Sequence, residues 1–278
     1  MKVTIFGATG LLGKVLMREW RGDEVVGLGS GDADIRDADR VREVVVKTRP
    51  DWIVLAAAYT NVDDCETHPD LAFAVNRDGP VNVAQAAQQI GAKFLFLSSD
   101  YVFDGNKTSP YETTDARNPQ SVYGRSKAEA EVLVLDLLPE CCIARTSWLF
   151  GTGGKCFPDT ILKLAASRPA LDVVSDQRGC PTYSVDLSRA IIGLCRNHAR
   201  GIVHVTNAAD CSWFEFAREI VKGAGLATEV RAVSSQQVAR PAPRPAFSVL
   251  SSTSVRQYGI AMPTWQDALQ RYLQERKN

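Results

Sequence analysis

The stretch from Lys2 to Trp20 constrains the fold more than any other part of this chain. A short apolar run, Lys2–Phe6, leads straight into Gly7-Ala8-Thr9-Gly10-Leu11-Leu12-Gly13, and Leu12, Val15, Leu16 and Trp20 then recur at helical spacing. Strand, glycine turn and helix in that order open a βαβ unit. Gly7 permits the tight turn, Gly10 lets backbone approach a pyrophosphate, and Gly13 allows helix and sheet to close on each other. The helix N-terminus adds free N–H groups and a favourable dipole for phosphate. The spacing is Gly-x-x-Gly-x-x-Gly, not Gly-x-Gly-x-x-Gly. An ordinary strand–turn–helix is the plainer reading, and the dinucleotide reading is preferred because strand and helix flank the motif as it requires.

Strand and helix go on alternating. Apolar runs at Glu24–Leu28, Trp52–Ala56, Lys93–Leu97 and Cys142–Arg145 read as strands. Asp37–Thr48, Pro69–Ile90 and Gln120–Leu138 read as helices, the second with Phe73, Val75, Val81 and Ala84 inward. Continuous apolar strands suit a parallel sheet covered on both faces. The fold class expected is α/β: a Rossmann-type doubly wound parallel sheet with a smaller C-terminal α/β substrate lobe. After Trp148 the pattern loosens. Helices are expected at Phe157–Ala166, Val185–Cys195, from a capping box at Ser212 to about Lys222, and at Trp265–Glu275. Gly201–Val205 reads as a strand able to rejoin the main sheet. The expected division is 1–150 for the dinucleotide domain and 151–278 mainly for the lobe, with segments near 183–207 and 240–250 returning to the first.

Composition narrows the class. Thirty-two basic and 32 acidic residues balance to a formal net charge of zero, which offers nucleic acid or an anionic membrane no electrostatic hold. No apolar stretch approaches the roughly 20 residues that span a bilayer, and the N-terminus lacks the apolar core of a secretory signal. A cytoplasmic enzyme is expected. Seven cysteines, with no Cys-x-x-Cys pair, read as reduced buried thiols. Three scattered histidines offer no metal site, and none is expected.

At the end of the second strand, Leu28-Gly29-Ser30-Gly31 stands where an acid would bind the adenosine ribose and repel a 2′-phosphate. That absence favours NADPH, with NADH as the alternative. Candidate cofactor contacts are Gly7, Thr9, Gly10, Leu11, Leu12, Ser30, Asp34, Ile35, Ala56, Ala57, Ala58, Tyr59 and Ser98, together with Tyr123 and Lys127.

Tyr123 and Lys127 stand four residues apart, on one face of a helix. A phenol is a poor acid or base at neutral pH, and an adjacent ammonium favours its anion. Tyr-x-x-x-Lys alone says little, both residues being common on helix surfaces. Ser98-Ser99-Asp100 follows the fourth strand at the carboxyl edge, where open α/β sheets bind ligands. A loop or capping serine is the ordinary alternative.

These stretches together resemble the dTDP-4-dehydrorhamnose reductase family of the extended short-chain dehydrogenase/reductase superfamily. The resemblance runs through Phe6–Gly10, Arg49–Asp51, Ala56–Thr60 with Val62-Asp63, Ser98–Gly105, Pro119–Lys127, Arg145–Trp148, Asp176-Gln177 with Gly179 and Pro181-Thr182, and Arg244-Pro245. It implies that Tyr123 protonates a sugar C4 carbonyl as hydride arrives from the nicotinamide. Lys127 would lower the Tyr123 pKa and bind the nicotinamide ribose, and Ser99, where the family has threonine, would polarise the carbonyl. Val62, Asp63, Tyr101 and Phe103 would line the substrate side, Trp148 would stack near the sugar, and Arg244 would face the nucleotide diphosphate. The chain departs from the family pattern at Leu55, where asparagine is usual, and at Val249, which follows Ser248 in place of arginine. The implied partner is a nucleotide sugar, with a homodimer as a further expectation. Two other readings stay open: reduction of a different dTDP-4-keto-6-deoxysugar, and a non-catalytic NADP-binding subunit like the regulatory subunit of methionine adenosyltransferase.

Overall fold

Each apolar run of the first half pairs in parallel with a neighbour, because each is followed by a helix that carries the chain back across the sheet. The structure, a computed structural model, describes residues 1–276. β1 (Lys2–Phe6) is followed by α1 (Leu11–Glu19), β2 (Glu24–Leu28), α2 (Ala38–Thr48) and β3 (Trp52–Leu55). Two short helices, α3 (Val62–Thr67) and α4 (Pro69–Phe73), lead through a π turn at Ala74–Asp78 into α5 (Gly79–Ile90). β4 (Lys93–Ser99), α6 (Val122–Leu137) and β5 (Cys142–Thr146) complete this half. The rest comprises β6 (Leu149–Phe150), α7 (Phe157–Ala165), β7 (Ala170–Val174), β8 (Arg178–Gly179), β9 (Thr182–Tyr183), α8 (Ser184–Arg196), β10 (Gly201–His204), β11 (Cys211–Ser212), α9 (Trp213–Gly223), β12 (Glu229–Val233), α10 (Thr253–Arg256) and α11 (Trp265–Glu275).

The main sheet runs β10-β5-β4-β3-β1-β2, parallel throughout. β10 returns from the second half to pair with β5. The chain goes from β1 outward to β2 and then back to β3 on the other side, so the strand order reverses beside β1. Such a switch point opens a crevice at the carboxyl edge. One core, with Ile5, Leu16, Val54 and Ile191, lies under α1 and α8. The other, with Phe6, Val41, Ile53 and Phe96, lies under α2, α5 and α6. A third surrounds Phe150, Phe216 and Tyr272 between α7, α9 and α11.

The helical region expected over Pro69–Ile90 is interrupted by the π turn, whose extra residue rotates the face beyond it. Val83 is therefore fully buried with Ala84, whereas Val81 is only partly so. β7 and β12 form a parallel pair that the sequence pattern does not announce; β12 alternates weakly because much of it faces solvent. The capping box of α9 forms as its sequence implies: Ser212 Oγ accepts from the Glu215 N–H, and Glu215 accepts from the Ser212 N–H.

Gly124 sets how closely α6 approaches the carboxyl edge. A Cβ there would lie 2.2 Å from the Tyr101 carbonyl oxygen. Gly124→Ala is expected to cost about 1–3 kcal/mol by overpacking and to push the Tyr123 turn outward. Denaturant midpoint and turnover should fall together; an unchanged midpoint would show that the helix does not depend on this contact.

Candidate functional site

The glycine turn is held by backbone that leaves no room for side chains. Gly7 has φ +86°, and a Cβ on it would lie 2.5 Å from the Ala57 nitrogen. A Cβ on Gly13 would come within 2.0 Å of the Gly7 oxygen. α1 begins at Gly10 with no side-chain cap and no acid in its first turn. Its first N–H groups are thus left for an anionic group, as a dinucleotide cradle requires. Thr9 is exposed at this turn and Leu11 half-buried, while the Leu12 side chain belongs to the core. Ala56, Ala57, Ala58 and Tyr59 follow β3 directly beside it.

The loop after β2 differs from its sequence-based reading. Asp32 folds back so that its Oδ2 accepts from the Gly29 N–H at 2.8 Å. An acid therefore does reach the end of β2, four residues late in sequence. Arg40 on α2 donates through Nε to the Asp32 carbonyl at 2.9 Å, bringing a guanidinium near the Leu28–Gly31 turn, which has no arginine of its own. Ser30 is exposed. Asp34 is paired with Arg36, which holds its carboxyl below the usual range. The Ile35 side chain does not face this loop: it is buried against Gly79 in the core.

At the carboxyl edge, α6 starts at Ser121, whose hydroxyl accepts from the Gly124 N–H, and the Val122 N–H donates to Glu66 on α3. Tyr123, Lys127 and Glu131 then stand on successive turns, all buried. Lys127 Nζ donates to the Leu97 carbonyl at 2.6 Å and lies 4.1 Å from the centre of the Phe96 ring. Burial pushes this ammonium down to about 7, against the pull of Glu131. Glu131 is fixed from the other side by Arg145, Nε to Oε1 at 2.8 Å and Nη2 to Oε2 at 2.6 Å. Burial alone would neutralise Glu131; the Arg145 bonds, helped by Ser98 and Arg117, hold it below the usual carboxylate range. Ser98 thus turns its hydroxyl into this buried cluster.

Tyr123 departs from expectation. Burial holds its phenol above the ordinary range, the Ser99 hydroxyl opposes that shift, and Lys127 is not among the groups that move it. The reason is that burial takes Lys127 itself down to about 7, so it is no longer a cation where a phenol titrates. Ser99 Oγ donates to Asp100 Oδ1 at 2.9 Å.

Around Tyr123 pack Val62, Tyr59 and Tyr101, the last edge-on with ring centroids 5.6 Å apart; the Tyr59 hydroxyl is tied to Asp64. Beside them opens a cleft of about 680 Å³ lined by Tyr101, Phe157, Gln177, Trp213, Arg240 and Arg244. Arg244 is mostly buried and pairs with Asp63 at 2.9 Å. Trp148 has φ +46° and stacks flat on Trp213, centroids 3.4 Å apart. Trp213 has no sequence signal, because it arrives from a distant helix. Phe103 does not line the substrate side. It is fully buried, stacked on Tyr111 with centroids 4.2 Å apart and covering the Arg145 guanidinium. Among the described residues no cluster of three or more His, Cys, Asp or Glu is arranged to hold a metal ion, and no helix is long and apolar enough to cross a membrane.

A doubly wound parallel sheet, a glycine turn at its first crossover and a Ser–Tyr–Lys set at its carboxyl edge define a short-chain dehydrogenase/reductase. Residues 1–278 match the family model described as RmlD substrate binding domain. The chain is 37% identical to the dTDP-4-dehydrorhamnose reductase of Sinorhizobium fredii, over 98% of this chain and 96% of that one. It is 42% identical to the spore coat polysaccharide biosynthesis protein SpsK of Bacillus subtilis, over 100% and 98%. The crystal structure of dTDP-4-dehydrorhamnose reductase from Bacillus anthracis in complex with NADP superposes with a TM-score of 0.96 at 38% identity, covering 99% of each chain. The chain belongs to the dTDP-4-dehydrorhamnose reductase family.

A buried ammonium is a stability cost, and its sign with pH can be worked out. Unfolded, Lys127 titrates near 10.5; folded, near 7. Between these values the unfolded state binds more protons, so this residue makes stability rise with pH across that window. Lys127→Met is expected to raise the melting temperature at pH 6, with the gain shrinking by pH 9, while turnover is lost. A variant less stable than the parent at pH 6 would show that the Leu97 and Glu131 contacts outweigh the burial cost.

Proposed function

We propose that this chain reduces the C4 ketone of a dTDP-4-keto-6-deoxysugar with NADPH, with dTDP-4-dehydrorhamnose as substrate and dTDP-L-rhamnose as product. The observation that carries the reading is the buried Ser99/Tyr123/Lys127 set beside a cleft that contains Arg244 and Tyr101, the ring packed on Tyr123. The glycine turn, Ala56–Tyr59 and the loop holding Ser30 and Asp34 would hold the cofactor, Leu11 and Leu12 through their backbone N–H groups. NADPH supplies the hydride when bound. Tyr123, neutral throughout the physiological range, gives its proton to the C4 oxygen as the carbonyl becomes an alcohol. Lys127 keeps the ensuing phenolate beside a cation. The stacked Trp148–Trp213 pair offers a flat apolar face to the sugar. Arg244, held in place by Asp63, turns its remaining N–H groups toward the diphosphate, a task suited to a guanidinium fork.

The choice of NADPH rests on the NADP complex of the Bacillus anthracis relative and on Arg40 near the β2 loop, since Asp32 removes the argument from a missing acid. The similarity to SpsK favours a second product: another dTDP-sugar made by the same reduction for a surface glycan. Seven free, buried cysteines support a reducing, cytoplasmic setting. We also propose the division at about residue 150, with 183–207 and 240–250 serving the first domain, and a homodimer on family grounds.

The purified chain alone should oxidise NADPH with dTDP-4-dehydrorhamnose, with a higher kcat/KM than for NADH. A panel of dTDP-4-keto sugars, with product stereochemistry determined, separates the two products. Binding of NADPH without turnover of any of them would point to a non-catalytic subunit. Tyr123→Phe should lower kcat by about 10²–10⁴ and leave NADPH affinity within a few-fold. Activity within a few-fold of the parent would remove Tyr123 as proton donor.

A further inference from the structure

Asp100 is an unusual residue to find beside a proton donor. It directly follows Ser99, is only 1% exposed, and accepts the Ser99 hydroxyl proton on Oδ1 at 2.9 Å. Its Oδ2 is buried with no hydrogen-bond partner among the described residues. Ser248 lies near enough to favour the charged form, yet its own hydroxyl points to the Arg178 carbonyl. A carboxylate in such a place is half-satisfied, and its cost is high. The geometry also raises a difficulty for Ser99. A hydroxyl has one proton, and a Ser99 that donates to Asp100 has none for a substrate carbonyl.

We infer that Asp100 is a positioning residue that decides where Ser99 sends its proton. As a carboxylate it keeps the Ser99 hydroxyl for itself. As a neutral acid it donates to Ser99 Oγ, and Ser99 then donates to the C4 oxygen. In that second arrangement the chain Asp100–Ser99–carbonyl supplies one more hydrogen bond to the developing alkoxide. No proton is consumed by it: the hydride still comes from NADPH and the transferred proton from Tyr123. The inference rests on the reductase reading above for its substrate half, and on the Ser99–Asp100 hydrogen bond and the unpartnered Asp100 Oδ2 for the other half.

The neighbourhood makes Asp100 the group that switches. Burial raises its carboxyl to about 6, opposed by the Ser248 and Ser99 hydroxyls and nearby backbone N–H groups. Tyr101 beside it and Tyr123 on α6 are both pushed up by burial and stay neutral. Cys180, from the turn between β8 and β9, is pushed up to about 11 and stays a thiol. Arg244 lies over the Tyr101 ring, 6.0 Å from its centre, and pairs with Asp63. Lys127 also titrates near neutrality, so its effect has to be cancelled by comparing variants at each pH.

Asp100→Asn is the discriminating variant, because its amide can donate to Ser99 Oγ at every pH. The ratio of its kcat to that of the parent is expected to rise about tenfold, the weight of one hydrogen bond, between pH 5 and pH 8. In a Ser99→Ala background the ratio should be flat. A ratio that stays flat with Ser99 present, or a uniform loss at all pH values, overturns the inference. A second measurement needs no substrate: carbon-13 NMR of the full chain with carboxyl-labelled aspartate. One resonance should titrate near pH 6, vanish in Asp100→Asn, and shift its midpoint upward in Ser99→Ala, which removes a donor to the charged form. No such resonance, or a midpoint indifferent to Ser99, overturns the Asp100–Ser99 coupling even if the enzyme is active. A normal titration in a chain that reduces no dTDP-4-keto sugar overturns the reductase reading and the substrate half, leaving the coupling intact.

Discussion

The ion pair between Glu131 and Arg145 is the contact on which the rest of the site depends. Both side chains are essentially inaccessible, and the guanidinium meets the carboxylate at both oxygens. Removing one partner of such a buried pair costs about 3–5 kcal/mol, a large part of the 5–15 kcal/mol by which a domain is typically stable. The pair joins α6 to β5, and one turn earlier on the same helix face is Lys127. Its ammonium can be buried only because Glu131 supplies a counter-charge and Leu97 a carbonyl. His204 packs on the far side of Arg145, and burial with that guanidinium beside it drives the imidazole down to about 3. It therefore adds no further positive charge to the cluster, and the phase of α6 that presents Tyr123 is locked.

Phe103 shows how far this cluster reaches. Its ring covers the Arg145 guanidinium at 4.9 Å and stacks on Tyr111. A residue in the middle of the motif from Ser98 to Gly105 is therefore there to keep a buried cation dry, while its neighbours Ser99 and Tyr101 face Tyr123. Motif membership places a residue in the neighbourhood of a site; side-chain direction along the turn decides whether it faces the cleft or the core.

Much of this was legible in the sequence where local chemistry and tertiary demand agree. The strands of the main sheet are apolar because both faces are covered, so β1 to β5 could be read directly. The α9 capping box and the span of α11 followed from their own residues. The Pro69–Ile90 region was misread in phase because a π turn leaves no mark in hydrophobic periodicity. β7 and β12 stayed hidden because the pair is short and most of β12 faces solvent. At the site, Tyr123 and Lys127 stand on successive turns of α6, and Ser99, which follows β4, lies beside Tyr123. Asp32 escaped because its carboxylate reaches the end of β2 by a turn rather than by position. Trp213 escaped because its contact with Trp148 spans two elements with no shared pattern.

The same cluster explains why Lys127 does not tune Tyr123 as a simple helix-face argument suggests. Proximity on one face is necessary for an ammonium to stabilise a phenolate, but the group must also still be charged when the phenol titrates. Here burial takes Lys127 down to about 7, and the phenol responds to burial and to Ser99 instead. A neutral phenol still carries the proton that the ketone must receive when hydride arrives. Once that proton has left, the phenolate stands in a buried pocket with Lys127 one helical turn away, and a protonated Lys127 attracts it only then. An interaction that strengthens as charge develops favours the reaction, whereas one present beforehand would stabilise the starting state as well.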